Sequence, residues 1–96
     1  MASTKDYLEY VLDLLRETGG ITYKKMMGEY LLYKDGVLFG GVYDDRFLVK
    51  KTPEGEKRGL TEQIPYPGAK PMFSVDDDAP EEVARLIETI VREIKR

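Results

Sequence analysis

The chain has 96 residues, a formal net charge of −3, and neither cysteine nor histidine. That length suits one domain around one core, and the two missing residue types exclude thiol nucleophiles, Ser-His-Asp triads, Cys-His dyads and zinc sites built on nitrogen or sulfur. The acidic balance argues against a dedicated DNA-binding module, whose footprint is basic, although residues 20–75 are slightly basic and the surplus acid sits at 76–78 and in the first helix region.

Ser3 followed by Asp6 is a short capping box that predicts a helix start near Thr4. Tyr7, Leu8, Val11, Leu12 and Leu15 then share one helical face, and Gly19-Gly20 ends the helix. The first residues carry no apolar leader and no window reaches the ~18 apolar residues of a membrane span. A cytoplasmic location is the expectation.

From residue 21 to 51 the period becomes extended. Asp35-Gly36 between two apolar runs predicts a type I′ hairpin turn, and Asp44-Asp45 predicts a second. Three antiparallel strands follow, roughly 25–34, 37–43 and 46–51. Strict alternation through those turns places Met27, Leu31, Tyr33, Leu38, Val42, Phe47 and Val49 on the face that helices cover, interrupted by Glu29 and Gly40. The outer face then holds Tyr30, Leu32, Lys34, Val37, Phe39, Gly41, Tyr43, Arg46, Leu48 and Lys50.

Residues 54–63 are polar and suit a short helix. Residues 64–71 hold three prolines, which cannot form a central strand, and residues 72–75 resume as strand. Asp78 and Glu81 around Pro80 read as a capping box. Val83, Leu86, Ile87, Ile90, Val91 and Ile94 form the apolar stripe of a final helix, with acid at its start and base at its end, as the helix dipole favours.

Three ordered segments carry a family resemblance. They are Tyr23-Lys24-Lys25-Met26-Met27-Gly28-Glu29-Tyr30 leading into Tyr33-Lys34-Asp35-Gly36-Val37-Leu38-Phe39-Gly40, then Asp44-Asp45-Arg46-Phe47-Leu48-Val49-Lys50, then Pro65-Tyr66-Pro67-Gly68-Ala69-Lys70-Pro71-Met72-Phe73. In this order, between two helices, the chain resembles the N-terminal domain of TfoX/Sxy-type proteins over nearly all its length, and is expected to be one such domain across residues 1–96. Met27 stands where that family commonly has phenylalanine, and Leu31 where it commonly has glycine. The resemblance implies an α+β fold with an antiparallel meander sheet in two layers, approximately α-β-β-β-α-β-β-α and similar to secretion-chaperone-like domains. It also implies a regulatory setting, because the founding members regulate DNA-uptake competence, act with a transcription activator and carry a second, C-terminal domain. Stand-alone copies have no settled activity.

The outer face is the main candidate site. Tyr30, Phe39 and Tyr43 with Lys34, Arg46 and Lys50 have the chemistry to stack bases and pair phosphates. The same face suits burial against a second copy or a regulatory protein, with Leu32, Val37 and Leu48 as its dry centre. A composition rich in aromatics and short of charge favours protein contact over nucleic acid, with an ordinary, partly covered face as the reading between the two. Tyr66 and Lys70 on the proline loop are further binding candidates, although such a run more often just carries the chain past the sheet edge. The 76–78 aspartates lack the spacing of a calcium loop and suit helix capping. Glu29 has four readings: an ion pair with Lys24 or Lys51, a place at the sheet end, a sign that a bulge shifts the register near Gly28, or, least favoured, a buried general-base carboxylate. No catalytic residue, metal site or cofactor is expected.

Overall fold

Thr4 starts the first helix, its hydroxyl accepting the Tyr7 N–H at 3.1 Å. From there the computed structural model, which describes residues 3–95, runs α1 (Lys5–Leu14), β1 (Ile21–Met26), β2 (Glu29–Lys34), β3 (Val37–Val42), β4 (Phe47–Val49), α2 (Pro53–Arg58), β5 (Glu62–Gln63), β6 (Met72–Ser74) and α3 (Pro80–Ile94). The strands form one antiparallel six-stranded sheet in the order β1-β2-β3-β4-β6-β5. This is the expected α+β fold, with one strand more than the expected string. The addition arises at Met27-Gly28, where φ is 52° and 84°. These two residues form a hairpin turn that splits the expected first strand into β1 and β2. Methionine rarely adopts positive φ, which hides the turn from a sequence reading. Met27, expected in the core, is 97% exposed at that tip.

Asp35-Gly36 and Asp44-Asp45 are both turns with positive φ at both positions, as expected. Between them the strand register departs from strict alternation. Leu32 pairs with Gly40 but Tyr33 pairs with Leu38, so Phe39 is an extra residue on β3. One bulge changes which face the flanking residues share. Tyr30, Leu32, Val37 and Phe39 therefore join Val42, Phe47, Val49 and Phe73 beneath α1 and α3. Leu31, Tyr33 and Leu38 go to the opposite side. The expected faces of β2 and of the first half of β3 are inverted, while those of Val42 and β4 stand.

Gly40 makes this bulge sterically possible. A Cβ there would lie 2.3 Å from the Leu48 carbonyl oxygen and 2.8 Å from Val49 Cα. The core closes with Leu8, Val11, Leu14 and Leu15 from α1 and Val83, Leu86, Ile87, Ile90 and Val91 from α3. Helix α2 lies on the same side, because a Cβ on Gly55 would meet the Phe73 ring at 2.4 Å. All three helices thus cover one face of the sheet. At the start of α3, Ala79 occupies the cap position and no side chain caps it; Asp77 accepts the Ala79 N–H at 3.0 Å instead of the expected box through Asp78. Among the described residues, no helix is long and apolar enough to cross a membrane.

Candidate binding face and groove

The face that no helix covers is built from cross-strand neighbours. Lys24 pairs with Leu31, Leu31 with Gly41, Gly41 with Leu48 and Leu48 with Ser74. Tyr33 and Leu38 extend it toward one end of the sheet, and Met72 toward β5. Leu31, Tyr33, Leu38 and Met72 are half-buried. Leu48 at the centre is fully buried. The Tyr43 ring lies across Gly41, within 2.8 Å of where a Cβ would stand, so glycine makes room for the ring.

Arg46 does not present a free charge. Its Nε donates to the Tyr43 carbonyl at 3.1 Å, and its Nη atoms donate to Gln63 Oε1 at 2.7 Å, the Ile64 carbonyl at 3.3 Å and the Pro65 carbonyl at 3.0 Å. One guanidinium thereby fastens the start of the proline loop to the β3–β4 hairpin, using the fork of donors that lysine lacks. The Tyr66 ring comes to rest 6.4 Å from that of Tyr43, centroid to centroid.

Between this loop and the sheet lies an open groove of about 460 Å³, lined chiefly by Tyr43, Lys50, Tyr66, Lys70, Pro71 and Met72. Lys51 also lines it, but its ammonium is bound to Glu62 at 2.6 Å and sits 5.9 Å from the centre of the Phe73 ring; the Glu62 hydrogen bond raises the Lys51 pKa. Lys50 and Lys70 have no such carboxylate partner among the described residues. Burial, and then the neighbouring Tyr66, push the Tyr43 hydroxyl above the usual tyrosine range, so it stays a hydrogen-bond donor at neutral pH. A second depression of about 380 Å³ on the other side of Tyr66 is lined by Glu29, Asp44, Arg46 and Pro67 among others, and is therefore of mixed charge.

The candidate residues from the sequence thus separate into groups. Tyr30, Leu32 and Phe39 are buried in the core and Val37 packs against it, which corrects their expected place on the outer face. Lys34 lies on the helix side, half-buried, donating to the Gly19 carbonyl at 2.7 Å. Leu48 is on the outer face. Tyr43, Lys50, Tyr66 and Lys70, drawn from two distant stretches of chain, meet in one groove.

Glu29 resolves as a sheet-end residue that the alternation pattern could not place. It accepts the Ser3 N–H at 3.0 Å and the Ser3 hydroxyl at 2.6 Å, and its other oxygen accepts the Asp44 N–H at 3.2 Å. Asp45 accepts the Thr4 N–H at 2.8 Å and donates its own N–H to Ser3 Oγ at 3.1 Å. This knot holds the Asp44-Asp45 turn, whose φ values of 52° and 54° are unfavourable for residues with a side chain. Glu29→Ala is expected to lower stability by about 1–3 kcal/mol, because it strands several donors at once; urea unfolding followed by circular dichroism measures the change. Asp76 and Asp77 serve Ser74 Oγ and the Ala79 N–H, and the described residues hold no group of three or more His, Cys, Asp or Glu side chains arranged for a metal ion.

Comparison with known proteins adds two findings. The family model of the TfoX N-terminal domain matches residues 13–94. An uncharacterised 12.7 kDa protein encoded in the trpE 5′ region of Spirochaeta aurantia is 37% identical over 87 residues, which covers 88% of this chain and 75% of that protein.

Proposed function

The chain belongs to the TfoX N-terminal domain family, and from that premise we propose that it is a non-enzymatic, competence-regulator-like domain that pairs with a second copy of itself through the open sheet face. The observation that carries this reading is the half-buried apolar surface of Leu31, Tyr33, Leu38 and Met72, with all three helices on the other side of the sheet.

Charge suits a second copy. The centre of the open face carries no charge, whereas its two ends differ in sign. Exposed Asp44 and Asp76 lie at the end where β3 finishes and β4 begins, and exposed Lys50 lies where β4 finishes. A two-fold axis lying across the strands sets the basic end of one copy over the acidic end of the other, as an isologous interface requires.

Sedimentation equilibrium across micromolar concentrations tests the pairing. The wild-type chain is expected to be a dimer and Leu38→Asp a folded monomer. A wild-type chain that remains monomeric throughout that range would overturn the reading.

A further inference from the structure

We propose that the groove between the proline loop and the Tyr43 side of the sheet is a binding site for a small aromatic phosphate of nucleoside monophosphate size.

The first support is an inversion of charge. The chain carries −3 overall, yet the groove lining includes Lys50, Lys51 and Lys70 and no carboxylate. With Lys51 held by Glu62, two ammonium groups remain to meet an anion. Lysines act as point charges for a phosphate and need no fixed fork geometry. The neighbouring depression, with Glu29 and Asp44 in its lining, lacks this selectivity, so the preference belongs to this groove and not to the loop in general.

The second support is shape and surface. A volume of about 460 Å³ falls in the range of small-molecule sites and far exceeds what inorganic phosphate fills. The rest of the lining is Pro65, Ala69, Pro71 and Met72 with the rings of Tyr43 and Tyr66, and Tyr66 is 58% exposed. An exposed ring beside apolar walls offers a stacking surface for a planar base, whose π-face pairs with tyrosine whatever the base identity. The still-protonated Tyr43 hydroxyl adds a donor. A phosphate alone leaves the aromatic wall unused, and a nucleoside alone leaves both lysines unused. A ligand carrying both groups uses each.

The third support is rigidity. The loop wall is not a free segment, because Arg46 binds the carbonyls of Ile64 and Pro65 and the side chain of Gln63. Pro65, Pro67 and Pro71 fix φ at their own positions, and the Ala69 N–H closes a turn on the Tyr66 carbonyl at 3.0 Å. A site already held in shape loses little entropy when it binds.

Isothermal titration of the full chain with AMP, adenosine and inorganic phosphate in low salt tests the site. AMP is expected to bind in the submillimolar range, with adenosine and phosphate each at least about tenfold weaker, and binding is expected to weaken as salt rises. Lys70→Glu and Tyr66→Ala are each expected to cost about tenfold or more, since one removes a charge-assisted hydrogen bond and the other a stacked ring. Neither position lies in the core, and unchanged circular dichroism confirms that each variant is folded. Repeating the titration on Leu38→Asp separates this site from the proposed pairing: pairing would cover Met72 and set Lys50 against acid, both of which line the groove, so the monomeric variant is expected to bind AMP at least as tightly as the wild-type chain. No heat with millimolar AMP, equal affinity for Lys70→Glu, or tighter binding of a short single-stranded oligonucleotide than of AMP would each overturn the proposal.

Discussion

Gly40→Ala is expected to cost about 3 kcal/mol or more, a large share of a whole domain's stability, which is on the order of 5–15 kcal/mol. The added methyl would stand 2.3 Å from the Leu48 carbonyl oxygen and 2.8 Å from Val49 Cα. Both are backbone atoms of the neighbouring strand. A flexible side chain could swing away from such a contact, but a paired strand moves only by giving up its own ladder bonds and the packing of Phe47 and Val49. The bulge offers no escape, because Gly40 must face Leu32 for Phe39 to be the unpaired residue. Gly19→Ala is the matched control, since a Cβ there meets nothing within 4 Å and it should change stability by less than about 0.5 kcal/mol. Urea midpoints of the two variants, compared at equal slope, separate local crowding from a general loss of glycine.

This glycine is also where the sequence stops being legible. The helices are readable because α1 and α3 carry long apolar stripes with clear stops, and Asp35-Gly36 is readable because its residue types suit positive φ. The Phe39-Gly40-Gly41 run has no such signal. It reads equally well as regular strand, and only the approach of β4 to Gly40 demands the extra residue. Since side chains alternate at period two, that one residue moves Tyr30, Leu32, Val37 and Phe39 from the expected outer face into the core and sends Leu31, Tyr33 and Leu38 outward. The inversion is confined to one side of the bulge, so Val42, Phe47, Val49 and Leu48 keep their expected faces.

The groove was half legible for a different reason. Tyr43, Lys50, Tyr66 and Lys70 stand out in sequence as aromatic and basic residues near turns, but their meeting depends on Arg46, whose partners are 17 to 19 residues away. Local patterns carry no record of such a contact. Read alone, Arg46 looks like a third free cation on the sheet; folded, its donors are spent on the loop. Its role is positional, and the charge available to a ligand falls to the two lysines.

Phe39→Asp and Leu38→Asp together provide the sharpest test of the inverted faces, because the neighbouring positions exchange roles between the two registers. Under strict alternation Phe39 lies outside and Leu38 in the core, so Leu38→Asp would unfold the domain and Phe39→Asp would leave it folded. In the structure Phe39 is fully buried among α1 and α3 side chains and Leu38 is half-buried on the open face. Phe39→Asp is therefore expected to abolish cooperative folding, since it replaces a packed ring with a charge that has no partner in the core. Phe39→Ala, which creates a cavity without adding charge, is expected to cost about 3–5 kcal/mol and serves as the milder measure of the same position. Leu38→Asp is expected to retain native circular dichroism and a cooperative thermal transition, changing the oligomeric state instead. The opposite pattern, a folded Phe39→Asp and an unfolded Leu38→Asp, would place the bulge elsewhere in β3 and return the open face to the strictly alternating set, removing the surface on which the proposed pairing rests.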